Sequence, residues 1–380
     1  MDRNTQDPGT PKRKSDGSSQ GSLTAKRIHI LGLGSIGLLV AHALRSAPNP
    51  PPVTLMFHRP ETLKSWYQAG EKIVVRRGQH TSSSEGFDAE LTAPSLLAKE
   101  DATDVREPID CLIVCTKAVH TVSAIQPLSG RISSSTTVCF LQNGMGTIET
   151  VNKELFPEEA SRPLYIQGII THGANIPAEA PGSHSFLVVH AGDGTISLGT
   201  SSQGPDLFDS PVHEAQDQRM SNGRHTINAL RQAPNLGAVY YSSTQLLQLL
   251  LEKLSVNCVI NPLTALFNVP NGKIGQHDSF LKIMRSILEE VSLVFRSLPE
   301  LSHIPDRQDR FSLQRLEERS KAVVQVTSEN ISSMLADTRS GRTTEIDYIN
   351  GYIVRKGKEI GIDCKVNEML VDMVVAKSYA

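Results

Sequence analysis

From Arg27 onward the chain alternates short apolar runs with longer mixed segments, and the runs at 28–31, 53–57, 111–115, 137–141 and 164–170 show no regular polar alternation. Such runs fit strands buried on both faces of a parallel sheet, and their spacing predicts a doubly wound α/β domain. The runs at 186–190 and 195–198, joined through Gly192, Asp193 and Gly194, read as a closing hairpin. Residues 201–237 are polar and read as a surface insertion, with one helical stretch near Ile227 to Leu230. Beyond Tyr240 the strand signals give way to helical periodicity at 246–266, 280–295, 315–335, 344–357 and 367–376. The pattern therefore predicts a sheet domain over 26–240 and an all-helical domain over 241–380. Residues 1–25, rich in Ser, Gly, Pro, Lys and Asp and almost without apolar side chains, read as a disordered tail.

At 380 residues the chain can hold two real cores, and its formal net charge of -2 argues against nucleic-acid or membrane-surface partners recruited by bulk electrostatics. No uninterrupted apolar run is long enough for a membrane span, and the N-terminus lacks the apolar core of a secretory signal. A soluble, cytoplasmic protein acting on a small molecule is expected. Cys111, Cys115, Cys139, Cys258 and Cys364 show no metal-type spacing and sit mostly inside apolar runs, so they read as reduced core thiols, and no metal site is expected.

Lys253, Asn257 and Asn261 lie four residues apart within an otherwise apolar stretch. On a helix each such step turns the direction by roughly 40°, so the three side chains form one slowly drifting stripe. Apolar residues from Leu246 to Leu266 flank that stripe, which makes the helix a buried one. A buried ammonium and two amides need partners, and a polar ligand in a cleft would satisfy them, with Lys253 placed to give or stabilise a proton.

Directly after the first predicted strand comes Gly32-Leu33-Gly34-Ser35-Ile36-Gly37, followed by a helical run. Glycines at these spacings allow a tight turn, close approach of backbone N–H groups to a pyrophosphate, and close helix–strand packing, so a Rossmann-type dinucleotide site is expected here. The second strand ends in Phe57-His58-Arg59, where an NAD site usually carries an acid. A guanidinium at Arg59 suits a 2'-phosphate and points to NADPH. Lys117, the turn Asn143-Gly144-Met145-Gly146 and the segment Thr171-His172-Gly173-Ala174 follow the ends of later strands, where ligands bind in open α/β sheets. His172 reads as a structural or supporting residue, because Lys253 competes for the acid–base role.

Thr344-Glu345-Ile346-Asp347 has the form that opens a helix. At about 100° per residue, Glu345 would fall on the side of Ile349 and Tyr352 and Asp347 on the opposite side. Pattern alone leaves Glu345 open as either a helix cap or a ligand group.

These residues are specific enough to name a family. The chain resembles the ketopantoate reductases (2-dehydropantoate 2-reductases) of the pantothenate pathway over about residues 27–375, with its most specific matches in 253–271, 330–335 and 344–351 and further ones in 32–37 and 143–149. The resemblance implies a Rossmann domain joined to a helical domain like that of 6-phosphogluconate dehydrogenase, with the active site between them. It implies that Lys253 donates the proton to the ketone and that Asn257, Asn261, Asn271 and Ser333 hold the substrate's hydroxyl and carboxylate. Asn143 would lie between cofactor and substrate, Lys117 and Ala174 would touch the dinucleotide, and Glu345 would bind near the nicotinamide end or the substrate hydroxyl. The implied activity is NADPH-dependent reduction of 2-dehydropantoate to (R)-pantoate for coenzyme A biosynthesis, by a monomer or homodimer. A related reductase of another 2-oxo acid would also suit the Lys–Asn stripe, whereas a non-catalytic NADPH-binding sensor should have lost Lys253 or Glu345. The tail and the 201–237 stretch have no counterpart in compact bacterial members.

Overall fold

The computed structural model describes residues 26–93, 106–177, 186–201, 206–208 and 217–379, so the expected tail and parts of the 201–237 stretch lie outside the described residues. The strands are β1 (Ile28–Leu31), β2 (Val53–Phe57), β3 (Ile73–Arg77), β4 (His80–Ser84), β5 (Asp88–Leu91), β6 (Cys111–Val114), β7 (Thr137–Phe140), β8 (Leu164–Ile170), β9 (Gly173–Asn175), β10 (Leu187–Gly192), β11 (Ile196–Thr200) and β12 (Ala238–Tyr240). Eight of them form one sheet in the order β12-β11-β8-β7-β6-β1-β2-β5. All neighbours in it pair in parallel except β8 and β11. Every residue of β1, β2, β6 and β7 is buried, which is why these segments read as unbroken apolar runs rather than alternating ones. The order runs outward in both directions from β1, so the loops leaving β1 and β6 part at their carboxyl ends and open a crevice there.

Helices cover both faces of this sheet. On one side α1 (Ser35–Arg45) packs over Ile28, Ile30, Leu55 and Ile113. α2 (Pro60–Gln68) lies at the far edge and buries Trp66. On the other side α3 (Thr121–Ile125) and α4 (Thr147–Glu154) contribute Ile125 and Val151 to a second core with Leu31, Met56 and Val114.

Two expectations for this half are corrected. The runs at 186–190 and 195–198 are not a hairpin: β10 pairs with β3 and β9 in a separate sheet ordered β4-β3-β10-β9, whereas β11 pairs with β8 and β12. The Gly-Asp-Gly segment carries the chain from one sheet to the other, and Gly194 passes so near the segment after β8 that a Cβ would lie 2.5 Å from His172 N. Nor is the 201–237 stretch all surface. Its residues Gln218–Gln232 form α5, opened by Asp217, whose side chain accepts from the N–H groups of Arg219 and Met220. Met220, Ile227 and Leu230 join the α1-side core, and Gly223 sits where a Cβ would come within 2.7 Å of Leu164. The polar outer face of α5 hid this inner face from a reading by composition.

The chain then enters α6 (Ser243–Phe267), α7 (Asp278–Ser297), α8 (Arg307–Arg310), α9 (Leu313–Val326), α10 (Ser333–Arg339), α11 (Asn350–Glu359) and α12 (Lys365–Lys377). α6 opens on a reciprocal Ser242–Gln245 capping box and closes at Asn268 in the left-handed conformation, with φ 54°. Among the described residues it is the one helix long and apolar enough to cross a membrane, but 78% of its apolar window is buried, and it is the central helix of this layer. The predicted helix over 315–335 is split, because Ser328 and Asn330 give their carbonyls to the N–H groups of Gly272 and Asn271 instead of continuing the turn. The one predicted over 344–357 is also broken: a 3₁₀ turn over Ile346–Tyr348 ends at Ile349, with φ −111° and ψ −94°, before α11 begins.

Pro262 lies inside α6 and offers no N–H to the carbonyl of Cys258 four residues back. The fully buried Asn350, first residue of α11, replaces that donor: its Nδ2 lies 3.0 Å from Cys258 O and 2.9 Å from Asn367 Oδ1. A proline in the central helix is thus matched by an amide from another helix. Asn350→Ala should cost about 1–3 kcal/mol in chemical denaturation, since it strands a buried carbonyl. Adding Pro262→Ala should recover part of that loss by restoring the helical N–H.

Candidate active site

The glycine loop joins β1 to α1, and two of its glycines, Gly32 and Gly37, answer different steric demands. Gly32 has φ 97°, and a Cβ there would lie 2.4 Å from Thr116 N on the loop after β6. A Cβ at Gly37 would lie 2.0 Å from Gly32 O, so helix and strand meet backbone to backbone. A Cβ at Gly34 would meet nothing within 4 Å, and α1 begins at Ser35 without a side-chain cap. The loop therefore leaves open space in front of an uncapped helix N-terminus, which suits an anionic pyrophosphate. Leu33 and Ile36 anchor the loop by packing against the α1-side core.

Arg59 stands just beyond β2, exposed, with Nε donating to His58 Nε2 at 2.9 Å. Ala174 lies on β9, half-buried and paired with His190 of β10. His172, two residues earlier, is buried and bonded to His190 and to the carbonyl of Leu236 at 3.0 and 2.9 Å.

Lys253 reaches from α6 across to the carboxyl ends of the sheet strands. Its Nζ donates to Asn143 Oδ1 after β7 and to the carbonyl of Ile170 at the end of β8, both at 2.9 Å. Removal from water pushes its pKa down to about 8, against the opposing pull of the Glu345 charge. The ammonium carries three N–H donors, of which these two bonds use two.

Glu345 is buried and ends in the same place, but not by the helical geometry the sequence suggested. It precedes the 3₁₀ turn, caps none of its own N–H groups, and instead accepts from Ala118 N of the other domain at 2.9 Å. Burial raises its pKa, opposed by the Ala118 N–H, by Lys117 and by a hydrogen bond from Asn143. The Asn143 amide therefore stands between the two charged groups. Lys117 in turn pairs with the buried Asp337 of α10, which also takes Arg342 Nε at 3.2 Å. The turn carrying Asn143 is pressed against the helical domain: Gly144, at φ 81°, leaves room for Tyr348 O, which a Cβ would approach to 2.6 Å. Met145 N donates to that same carbonyl at 2.8 Å.

Gln142, Asn143, Gly144, Ile169, Leu250, Lys253, Leu254 and Asn257 line a narrow cleft. Asn261 lies one turn beyond Asn257 and is 6% exposed. Asn271 is buried, bonded through Nδ2 to Thr327 Oγ1 at 3.0 Å, while its Oδ1 has no partner. Ser333 is exposed at the start of α10, whereas its neighbour Ser332 is buried as the cap and bonds Thr264. The sequence reading passed over Gln142, whose Nε2 ties down Thr116 O at 2.7 Å and Thr121 Oγ1 at 2.5 Å. It also passed over Asp337 and Ile169, whereas Leu250 and Leu254 belong to the apolar run already expected to flank Lys253. The position of Gln142 beside Asn143 was a usable signal; the apolar residues look like any core residue in sequence.

The family described as Ketopantoate reductase PanE/ApbA matches residues 28–203, and its C-terminal part matches residues 245–378. The chain is 29% identical over 359 residues to the probable 2-dehydropantoate 2-reductase of Schizosaccharomyces pombe, covering 92% of this chain and 95% of that protein. It is 30% identical over 293 residues to the 2-dehydropantoate 2-reductase of Salmonella typhimurium, covering 77% and 79%. The structure matches that of the probable 2-dehydropantoate 2-reductase from Bacillus subtilis with a TM-score of 0.65 and 26% identity, covering 92% and 99%. Both halves of the chain match one family in sequence and in fold, and the polar groups of the two halves meet in one cleft. The chain belongs to the ketopantoate reductase family and is an oxidoreductase.

Proposed function

We propose that the protein reduces 2-dehydropantoate to (R)-pantoate at the expense of NADPH, with Lys253 as the proton donor. The observation that carries this reading is the Lys253 ammonium, withdrawn from water yet bonded to only two acceptors, in a cleft that also holds Asn257 beside the apolar Ile169, Leu250 and Leu254. Its remaining N–H is free to meet a ketone oxygen. When bound along the glycine loop, the nicotinamide would supply the hydride to the ketone carbon. Lys253 stabilises the negative charge that develops on the oxygen and completes the alcohol by giving up its proton. Asn143 keeps the ammonium aimed, and Glu345 favours its charged form. Asn257 offers an amide at the cleft wall for the substrate's hydroxyl or carboxylate, with Asn261, Asn271 and Ser333 as further polar groups on the helical side. Ile169, Leu250 and Leu254 suit the branched carbon beside the ketone. A substrate hydroxyl left without its buried partners discriminates strongly, which favours ketopantoate over an analogue lacking that group.

Oxidation of NADPH followed by absorbance, with ketopantoate beside 2-oxoisovalerate and pyruvate, tests the assignment. Turnover should be fastest with ketopantoate; preference for 2-oxoisovalerate would assign the related 2-oxo acid activity instead, and no turnover with any of them would support a sensor.

Lys253→Ala should lower kcat by about 10²–10⁴-fold and leave NADPH affinity, measured by fluorescence titration, nearly unchanged. Because the ammonium is the donor, kcat of the unmodified enzyme should fall as pH rises through about 8. Glu345 raises the lysine's pKa, so Glu345→Gln should move that alkaline limb to lower pH. An unmoved limb would leave Glu345 with a structural role only.

Arg59 sets the choice of cofactor in this reading. Arg59→Ala should raise the KM for NADPH by an amount equivalent to about 1.5–3 kcal/mol while changing that for NADH little. Equal use of both cofactors by the unmodified protein would refute it.

A further inference from the structure

Lys253 depends on a peptide plane that is itself held from behind. The carbonyl of Ile170 faces Lys253 Nζ at 2.9 Å, while the N–H of Thr171, on the opposite edge of the same planar trans peptide, donates to Thr195 O at 3.0 Å. Turning that plane would break both bonds together. Thr195 is fixed in return, since its own N–H donates to Thr171 Oγ1 at 2.8 Å. One residue back, Gly194 N donates to His172 Nδ1 at 3.1 Å. The approach is so close that a Cβ on Gly194 would lie 2.5 Å from the carbonyl carbon of Thr171.

His172 completes the lock. Its Nδ1 faces the Gly194 N–H and, at 3.0 Å, His190 Nε2, while its Nε2 lies 2.9 Å from Leu236 O. A carbonyl can only accept, so Nε2 carries the proton and Nδ1 is the acceptor for both neighbours. The buried ring therefore joins the end of β8 to the segment before β11 and to the loop before β12.

We infer that Thr171 and His172 are positioning residues that hold the Ile170 carbonyl against Lys253 and so aim the proton donor into the cleft. This rests on Lys253 being the acid. A lysine side chain has much rotamer freedom, and with Asn143 as its one remaining acceptor the ammonium would be both less directed and less favoured over the neutral amine. Loss of the lock therefore has two signatures, a lower kcat and an alkaline limb displaced to lower pH.

Thr171→Val keeps the shape of the side chain and removes the oxygen that accepts from Thr195 N; Thr171→Ser keeps that oxygen. The valine variant should lose about ten- to hundred-fold in kcat, with the alkaline limb moved down and NADPH affinity by fluorescence titration unchanged. The serine variant should match the unmodified enzyme in all three. His172→Gln, which removes the Nδ1 acceptor of Gly194, repeats the test at the next residue and should move the limb in the same direction. Rates are expressed per NADPH-binding site, so that partial unfolding does not count as lost turnover. A Thr171→Val protein with lowered thermal stability but an unmoved limb and normal kcat would overturn the inference, as would a serine variant impaired like the valine one. Normal turnover of Lys253→Ala would instead remove the assignment of Lys253 itself, a result that the Thr171 variants cannot produce.

Discussion

One buried ammonium joins the two halves of this protein. Lys253 leaves the central helix of the helical domain and ends on Asn143 and the Ile170 carbonyl, which belong to two neighbouring strand ends of the sheet. Taking a charge out of water is costly, and the cost is tolerable here because both acceptors are held in place by their surroundings. Burial still pushes the Lys253 pKa down to about 8, against the opposing pull of Glu345. In the reaction proposed above, an amine with a lowered pKa gives up a proton more readily than an exposed lysine.

The seam around Lys253 is mortised rather than flat. Met145 and Ile169, both from the sheet domain, lie in the hydrophobic core of the helical one. The Asn143–Gly146 turn rests on the Tyr348 carbonyl, Ala118 N holds Glu345, and Lys117 holds Asp337. Each of these contacts pairs a loop at a strand's carboxyl end with the segment around α10 and the 3₁₀ turn before α11. The polar groups of the cleft are thus made rigid by the same contacts that join the domains, which is the condition for a preorganised site.

Inside the helical domain the same logic applies at a position with no catalytic part. α6 is apolar on nearly every side, so its polar atoms must be matched one by one. Pro262 frees the Cys258 carbonyl, and Asn350 answers it; Glu252, next to Lys253, turns to Arg310 and Arg319 at 2.7 and 3.0 Å. Adjacent charged residues on one helix therefore serve opposite faces, Glu252 holding α6 to the neighbouring α8 and α9 and Lys253 facing the cleft.

Much of this was legible in the sequence because it depends on local spacing. The buried strands at Ile28, Val53, Cys111, Thr137 and Leu164 follow from unbroken apolar runs, the four-residue stripe on α6 from the period of 3.6, and the glycine loop from the steric needs of glycine. What the sequence could not determine was everything that depends on which distant segments meet. The 186–198 region looked like a hairpin because its turn residues permit one; the choice of partners across two sheets is made by long-range pairing, which leaves no local mark. α5 looked like surface because only one of its faces is apolar. Glu345 looked helical, and the break at Ile349 appears only because the backbone there is bound to the Asn143 turn and the core beneath it. Asp337 has no distinguishing pattern, and nothing along the chain says what Gln142 or Thr171 would bond. They matter because folding brings Lys117, Thr116 and Thr195 against them, and complementary polar groups recognise each other by distance in space, not along the chain.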